Sequence, residues 1–192
     1  IKNMKNFKTF AIALLVVAGS FSATAQEKKV DVAKSKISWV GKKVTGQHEG
    51  TIKLSEGSLT FKKDVLVNGN FTVDMNSITV TDLKAGEGKE KLEGHLKADD
   101  FFGTDKFATA KLVFKTIGKK SNGVYAVTAD LTIKDITKPV KFNITVGKDT
   151  ATAALKVDRT KYDIKYGSGS FFDGLGDKTI NDEFELAVDL KF

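Results

Sequence analysis

Residues 184–192, FELAVDLKF, set Phe184, Leu186, Val188, Leu190 and Phe192 on one side of an extended chain and Glu185, Ala187, Asp189 and Lys191 on the other. Successive side chains of a strand point to opposite faces, so this period of two predicts a half-buried antiparallel strand. The same alternation runs through GVYAVTADLTIKD, where Tyr125, Val127, Ala129, Leu131 and Ile133 share a face, and through PVKFNITV, with Val140, Phe142, Ile144 and Val146. NFTVDM offers Phe71, Val73 and Met75, and AKLVFKTI offers Leu112 and Phe114. KISWVGKKV and GTIKLSEGSLTF read as further strands near the start.

Turn chemistry separates these segments. Asn122-Gly123 between two alternating runs marks a tight hairpin. The single proline, Pro139, is expected to open a strand, where a missing N–H is tolerated. Asn68-Gly69 reads equally as a turn or a bulge. Two regions break the pattern. Residues 82–105 are charged and glycine-containing, with KEKLEGHL fitting a short helix, and residues 159–182 are rich in Gly, Asp and aromatics. So many amphipathic strands in one domain need either two stacked sheets or a closed barrel. A barrel of about eight strands can enclose one small ligand, whereas a sandwich fills that space with side chains.

The N-terminus has a different character. Lys5 and Lys8 precede the apolar run Phe10–Ala18, and Ala23-Thr24-Ala25 is a small-x-small sequence. That order predicts a secretory signal peptide cleaved near Ala25, with residues 1–3 as an extension and residues 26–192 as the mature domain. The expected location is periplasmic or secreted. Lys2, Lys5 and Lys8 all precede the cleavage point, so the formal charge falls from +7 to +4 in the mature domain. Arg159 is the only arginine and the lysines are dispersed, which argues against a nucleic-acid partner. The chain has no cysteine, which removes disulfides and thiol nucleophiles from consideration.

Candidate chemistry is sparse. His95 and Asp99 would share a face if the helix ran through both, and His48 in GQHEG could join them. Two scattered histidines fall short of any metal-ligand spacing, and no metal is assigned. YGSGSFF lacks the strand-to-helix context of a nucleophile elbow, so no catalytic residue is assigned either. Phenylalanine usage is more informative. Of 14 phenylalanines, Phe101-Phe102 and Phe171-Phe172 sit in the irregular regions, where such large apolar groups are expected to plug the domain or to line the entrance of an apolar cavity. His95, Arg159 and Tyr162 would suit the polar head of a ligand.

Four ordered segments carry a family resemblance. SKISWVGKKVTGQHEGTIKLSEGSLTF fits the opening of YceI-like proteins. GHLKADDFFGTDKFATAKLVF resembles their His-Leu-x-Ser-x-Asp-Phe-Phe segment. ADLTIKDITKPVKF resembles their Leu-Thr-Ile-x-Gly-x-Thr-Lys-Pro-Val segment. DRTKYDIKYGSGSFFDGLGDKTINDEFELAVDL resembles their C-terminal Arg-x-x-Tyr/Phe-Gly and last strand. The likeness runs from about Val30 to Phe192. Ala98 departs from the usual serine, Phe107-Ala108 from Tyr-Pro, and Asp135 and Asp163 from glycine, the last two at positions where Asp tolerates left-handed turns.

The resemblance implies an all-β fold: an eight-stranded antiparallel lipocalin-like barrel with a short helix in one connection. It also implies an apolar interior that binds polyisoprenoid or other long-chain lipid, an isoprenoid quinone included, with no cofactor. The expected lining is Trp39, Phe71, Phe114, Leu131, Phe142 and Phe184 from the strands, with Leu96 beside His95. Phe101, Phe102, Phe171 and Phe172 would shape the mouth, and His95, Arg159 and Tyr162 would meet the head group. An enzyme acting on a lipid or quinone precursor, with His95 as base, and a filled barrel acting through its surface as an interaction or stress protein are the alternatives. Homodimer formation and peripheral membrane contact stay open on the sequence.

Overall fold

The computed structural model describes residues 25–192; the signal-peptide reading of the N-terminus lies outside them. Nine strands and one α-helix follow in order: β1 (Gln26–Lys29), β2 (Lys36–Lys43), β3 (Gly46–Lys62), β4 (Val65–Val80), α1 (Lys89–Lys97), β5 (Thr109–Ser121), β6 (Val124–Ile133), β7 (Ile136–Val146), β8 (Thr150–Asp158) and β9 (Ile180–Lys191). The sheet runs β3-β2-β9-β8-β7-β6-β5-β4 and returns from β4 to β3, which closes an eight-stranded antiparallel barrel. β1 lies outside that count. It pairs with the far half of β3, Gln26↔Phe61 to Lys29↔Ser58, beyond the stretch of β3 that β2 covers.

The alternation read from the sequence sets the inward face. β6 is buried at Tyr125, Val127, Ala129, Leu131 and Ile133 and half-buried between them. Asn122-Gly123 makes the expected two-residue hairpin, with Gly123 at φ 75° and Ser121 paired to Val124. Two further hairpins use Lys63-Asp64 and Lys134-Asp135, all four residues at positive φ. Asp135 therefore occupies a left-handed position, as does Asp163 at φ 59°.

One expectation needs correction, one open reading is decided, and one strand went unread. Pro139 does not open a strand: β7 starts at Ile136, and Pro139 sits inside it opposite Asp130. It is tolerated because β8 does not pair with that part of β7, so no ladder N–H is needed. Asn68-Gly69 is not a turn. It lies within β4, next to a register shift where Thr60 pairs with Asn68 and Phe61 with Leu66. β8 carries weak signal, TATAALKVD, because two of its inward residues are only alanines, Ala151 and Ala153.

Two apolar clusters fill the interior. One, around Leu59, Leu66, Tyr125 and Ala129, packs the end that holds the β3–β4 and β5–β6 hairpins. The other, around Met75, Val80, Leu96, Phe101, Tyr162 and Ile164, lies at the end covered by α1.

Candidate functional site

Between the clusters lies a cavity of about 200 Å³, lined almost entirely by apolar side chains. Its aromatic wall depends on glycines. Gly50 pairs with Trp39 across β2 and β3, and a Cβ there would come within 2.5 Å of the indole ring. A Cβ on Gly57 would come within 2.6 Å of the Phe71 ring, and one on Gly69 within 2.7 Å of the Phe114 ring. Each aromatic ring thus crosses a neighbouring strand at a point without a side chain, a close approach that a strand glycine permits. Phe114 sits 5.8 Å from both Phe71 and Phe142, centroid to centroid. Gly41 continues the inward phase of Ile37 and Trp39, opposite Phe184, and a Cβ there would meet nothing within 4 Å. The sequence reading missed Gly41, although its phase on β2 was the available signal.

The α1 end is held by charged anchors. A nine-residue helix is marginal on its own. Its Glu93 carboxylate accepts from the Thr79 hydroxyl at 2.6 Å and the Val80 N–H at 2.8 Å, which ties α1 to β4. Those two hydrogen bonds, Thr79 first, hold the Glu93 carboxyl below the usual glutamate range. Leu96 and Phe101 are then buried against the cavity, and Phe102 meets Phe184 edge-on at 6.2 Å.

Arg159 organises the other connection. It is only 2% exposed. Its Nε donates to the Asn181 carbonyl at 3.0 Å, one terminal nitrogen to Ile164 and Tyr166 at 2.8 Å each, and the other to Ile180 at 3.1 Å. Burial lowers its pKa, opposed by the nearby Asp182 and Asp158 carboxylates. The guanidinium also lies 5.7 Å from the Phe101 ring. Four of its five N–H donors are thus spent on backbone carbonyls.

Ten of the fourteen sequence-predicted site residues border the cavity: Trp39, Phe71, Leu96, Phe101, Phe102, Phe114, Leu131, Phe142, Arg159 and Phe184. Four do not. His95 packs against the cap, its ring 4.4 Å from Tyr166 and 5.5 Å from Phe101, with Nε2 buried and unpartnered. Tyr162 is 1% exposed, and its hydroxyl has no partner. Burial, aided by Asp158, pushes that phenol up to about 12. Phe171 and Phe172 do not shape the mouth. They stand 50% and 51% exposed on a turn whose two N–H groups donate to the Ser168 carbonyl, with the Lys165 ammonium 5.1 Å from the Phe171 ring. The tether from Arg159 to Tyr166, Ile180 and Asn181 fixes the base of this loop, and its tip projects outward.

The polar triad also comes apart. Asp99 lies past the helix end and pairs with Lys106 at 2.6 Å instead of His95. His48 bonds Asp82 at 2.8 Å. Burial raises the Asp82 carboxyl, but the Glu49 N–H and His48 outweigh it and leave the group below its usual range. No group of three or more His, Cys, Asp or Glu with metal-binding geometry occurs among the described residues.

A closed antiparallel barrel around an apolar cavity, capped by one helix, is an architecture consistent with a binding protein. The YceI-like domain model matches residues 29–192, and the chain belongs to that family. A UPF0312 protein of Photorhabdus laumondii is 31% identical over 146 residues, covering 71% of this chain and 70% of that one. A UPF0312 protein of Shewanella denitrificans is 34% identical over 94 residues, 48% of this chain, and the chain spans about half of that relative's length (47%). Among solved structures, Burkholderia cenocepacia BcnA superposes with a TM-score of 0.66 at 26% identity, covering 84% of this chain and 98% of that one. The Campylobacter jejuni YCEI protein shares the fold at a TM-score of 0.52 and 15% identity, covering 100% of this chain and 92% of that one.

Proposed function

We propose that this protein binds one long-chain amphiphile, of the polyisoprenoid or isoprenoid-quinone type, with its chain inside the barrel. The supporting observation is the cavity wall: Trp39, Phe71, Phe114, Phe142 and Phe184 surround it from five strands, with hardly a polar atom among them. Such an interior favours a hydrocarbon chain at ~0.8 kcal/mol per methylene removed from water, less the cost of ordering the chain. Carriage or storage in the periplasm is the role we attach to it, on the signal-peptide pattern of the N-terminal sequence. Contact with a membrane falls to the exposed Phe171-Phe172 turn, where Lys165, paired with Asp163 at 2.8 Å, lies 5.1 Å from the Phe171 ring.

The test is organic extraction of the mature protein from its native host, followed by mass spectrometry. A co-purifying isoprenoid or other long-chain lipid, and a rise in melting temperature on adding it back, are the expected results. Preparations that yield no lipid and no thermal shift would favour a barrel acting through its surface. The enzyme alternative has one observation behind it, the buried and unpartnered His95 Nε2. It requires that His95→Ala abolish turnover of a bound lipid without emptying the cavity.

A further inference from the structure

The barrel wall is not sealed evenly. β7 pairs with β6 from Thr145 back to Ile136, and β8 pairs with β9 from Thr150 to Asp158. Between β7 and β8 the ladder covers only Ile144–Val146 against Ala151–Ala153. Beyond Ile144↔Ala153 both strands continue without pairing to each other. Continuing the register would set Phe142 opposite Leu155, and both residues line the cavity. The seam therefore runs past the cavity wall. At its far end Val157 and Tyr162 belong to the cluster on which Ile136 and Val140 pack, so side chains close it there in place of a ladder. The buried Tyr162 hydroxyl has no partner and adds no hydrogen bond to that closure.

An open strand edge ordinarily invites another strand. This one is guarded: Pro139 lacks an N–H, and Lys138 and Lys141 on β7 and Lys156 on β8 are exposed. Strand addition by a second copy is disfavoured, and the two strands stay free to part. The hairpin end of the barrel is packed solid, and the opposite end is covered by α1 and the Arg159-tied connection. Arg159 has little left for a charged head group inside, because four of its five donors go to Ile164, Tyr166, Ile180 and Asn181 and Asp182 lies 3.8 Å away. At the seam, by contrast, Lys141 has the outward phase of β7 and enters none of the ion pairs among the described residues, whereas Lys138 has the phase of the inward Leu131. Lys156 lies 3.7 Å from Glu185, itself 2.9 Å from Lys42.

We propose that the ligand's chain enters sideways between β7 and β8, and that an anionic head group stays outside at Lys141, on the outward phase of β7. The inference rests on the cavity being the binding site proposed above. It narrows the ligand class to amphiphiles with an acidic head.

The chain has no cysteine, so Lys141→Cys with Lys156→Cys gives one unambiguous pair across the seam. Uptake of oleate and of methyl oleate is followed by stopped-flow emission of Trp39, the only tryptophan. Joining the pair with a short thiol-reactive cross-linker should slow uptake of both probes by at least about tenfold, since entry then needs a rarer opening of the wall. Lys141→Glu should weaken oleate about threefold to fivefold at low salt, leave methyl oleate unchanged, and lose the distinction at high salt. Wild-type uptake rates in the cross-linked protein would overturn the lateral entry. Equal effects on both probes, or none, would overturn the lysine assignment. If the wild-type protein takes up neither probe, the lateral entry and the acidic-head assignment both fail, whereas the binding function stands or falls by the lipid extraction. Circular dichroism of each variant establishes that the barrel is intact.

Discussion

Gly50→Ala adds a single methyl to a strand, and two effects of opposite sign compete. In an open site the change would help, because alanine loses less backbone entropy on folding, worth roughly 0.5–1 kcal/mol. At Gly50 the added Cβ would collide with the Thr79 carbonyl oxygen across the β3–β4 pair and lie 2.5 Å from the Trp39 ring. The first obstacle is backbone and the second a packed indole, so neither yields cheaply. Overpacking of this kind costs about 1–3 kcal/mol, and a backbone collision belongs at the upper end. The net expectation is a loss of about 2–2.5 kcal/mol, or roughly 4–10 °C in melting temperature for a domain of this size. Gly94→Ala is the matched control. Gly94 lies within α1, where a Cβ would meet nothing within 4 Å, so the variant should gain about 0.5–1 kcal/mol. Urea titration of both variants gives the two signs, and Trp39 emission reports displacement of the indole in the first. A Gly50→Ala protein as stable as wild type, with an unmoved emission maximum, would refute the claim that glycine makes room for the cavity's aromatic wall.

Three further outcomes follow from the same geometry. Arg159→Met should destabilise by about 3 kcal/mol by orphaning the carbonyls of Ile164, Tyr166, Ile180 and Asn181, and limited proteolysis should then cut between residues 163 and 181. Tyr162, pushed up to about 12, should give a late ionisation step in a titration read at 295 nm. Its folded pKa lies above the ordinary phenol value, so its contribution is complete below about pH 10 and disappears as pH rises toward 12, and Tyr162→Phe should abolish that late step. Phe171→Ser with Phe172→Ser should leave stability within about 0.5 kcal/mol, because both rings are half exposed, and should reduce co-sedimentation with anionic vesicles. Unchanged vesicle binding would remove the turn from membrane contact.

Strand phase was legible because it is local. Tyr125 through Ile133 and Phe184 through Leu190 alternate strongly enough that their inward face follows from side-chain period alone. The helix over KEKLEGHL and the Asn122-Gly123 hairpin are local in the same sense. The strand-derived half of the cavity lining inherits that legibility: Trp39, Phe71, Phe114, Leu131, Phe142 and Phe184 all reach it. β8 was harder to see, since Ala151 and Ala153 alternate with threonines of nearly equal size and give little contrast.

What depended on distant partners was hidden. His95 and Asp99 look like a pair at helical spacing, but α1 ends at Lys97 and Asp99 turns to Lys106. Phe101-Phe102 and Phe171-Phe172 are alike as dipeptides. One is buried beneath α1, while the other is held out by a loop whose base Arg159 ties down. Arg159 read as a free cation for a head group, and only the fold spent its donors on four carbonyls. Side-chain alternation and turn chemistry determined that this chain makes antiparallel strands with one apolar face. Tertiary structure decided that the sheet closes from β4 to β3, that Gly50, Gly57 and Gly69 sit under aromatic rings, and that β7 and β8 part beside the cavity. A period of two fixes which face a residue takes. Closure, register and the spending of a buried charge are set by contacts between residues far apart in the chain.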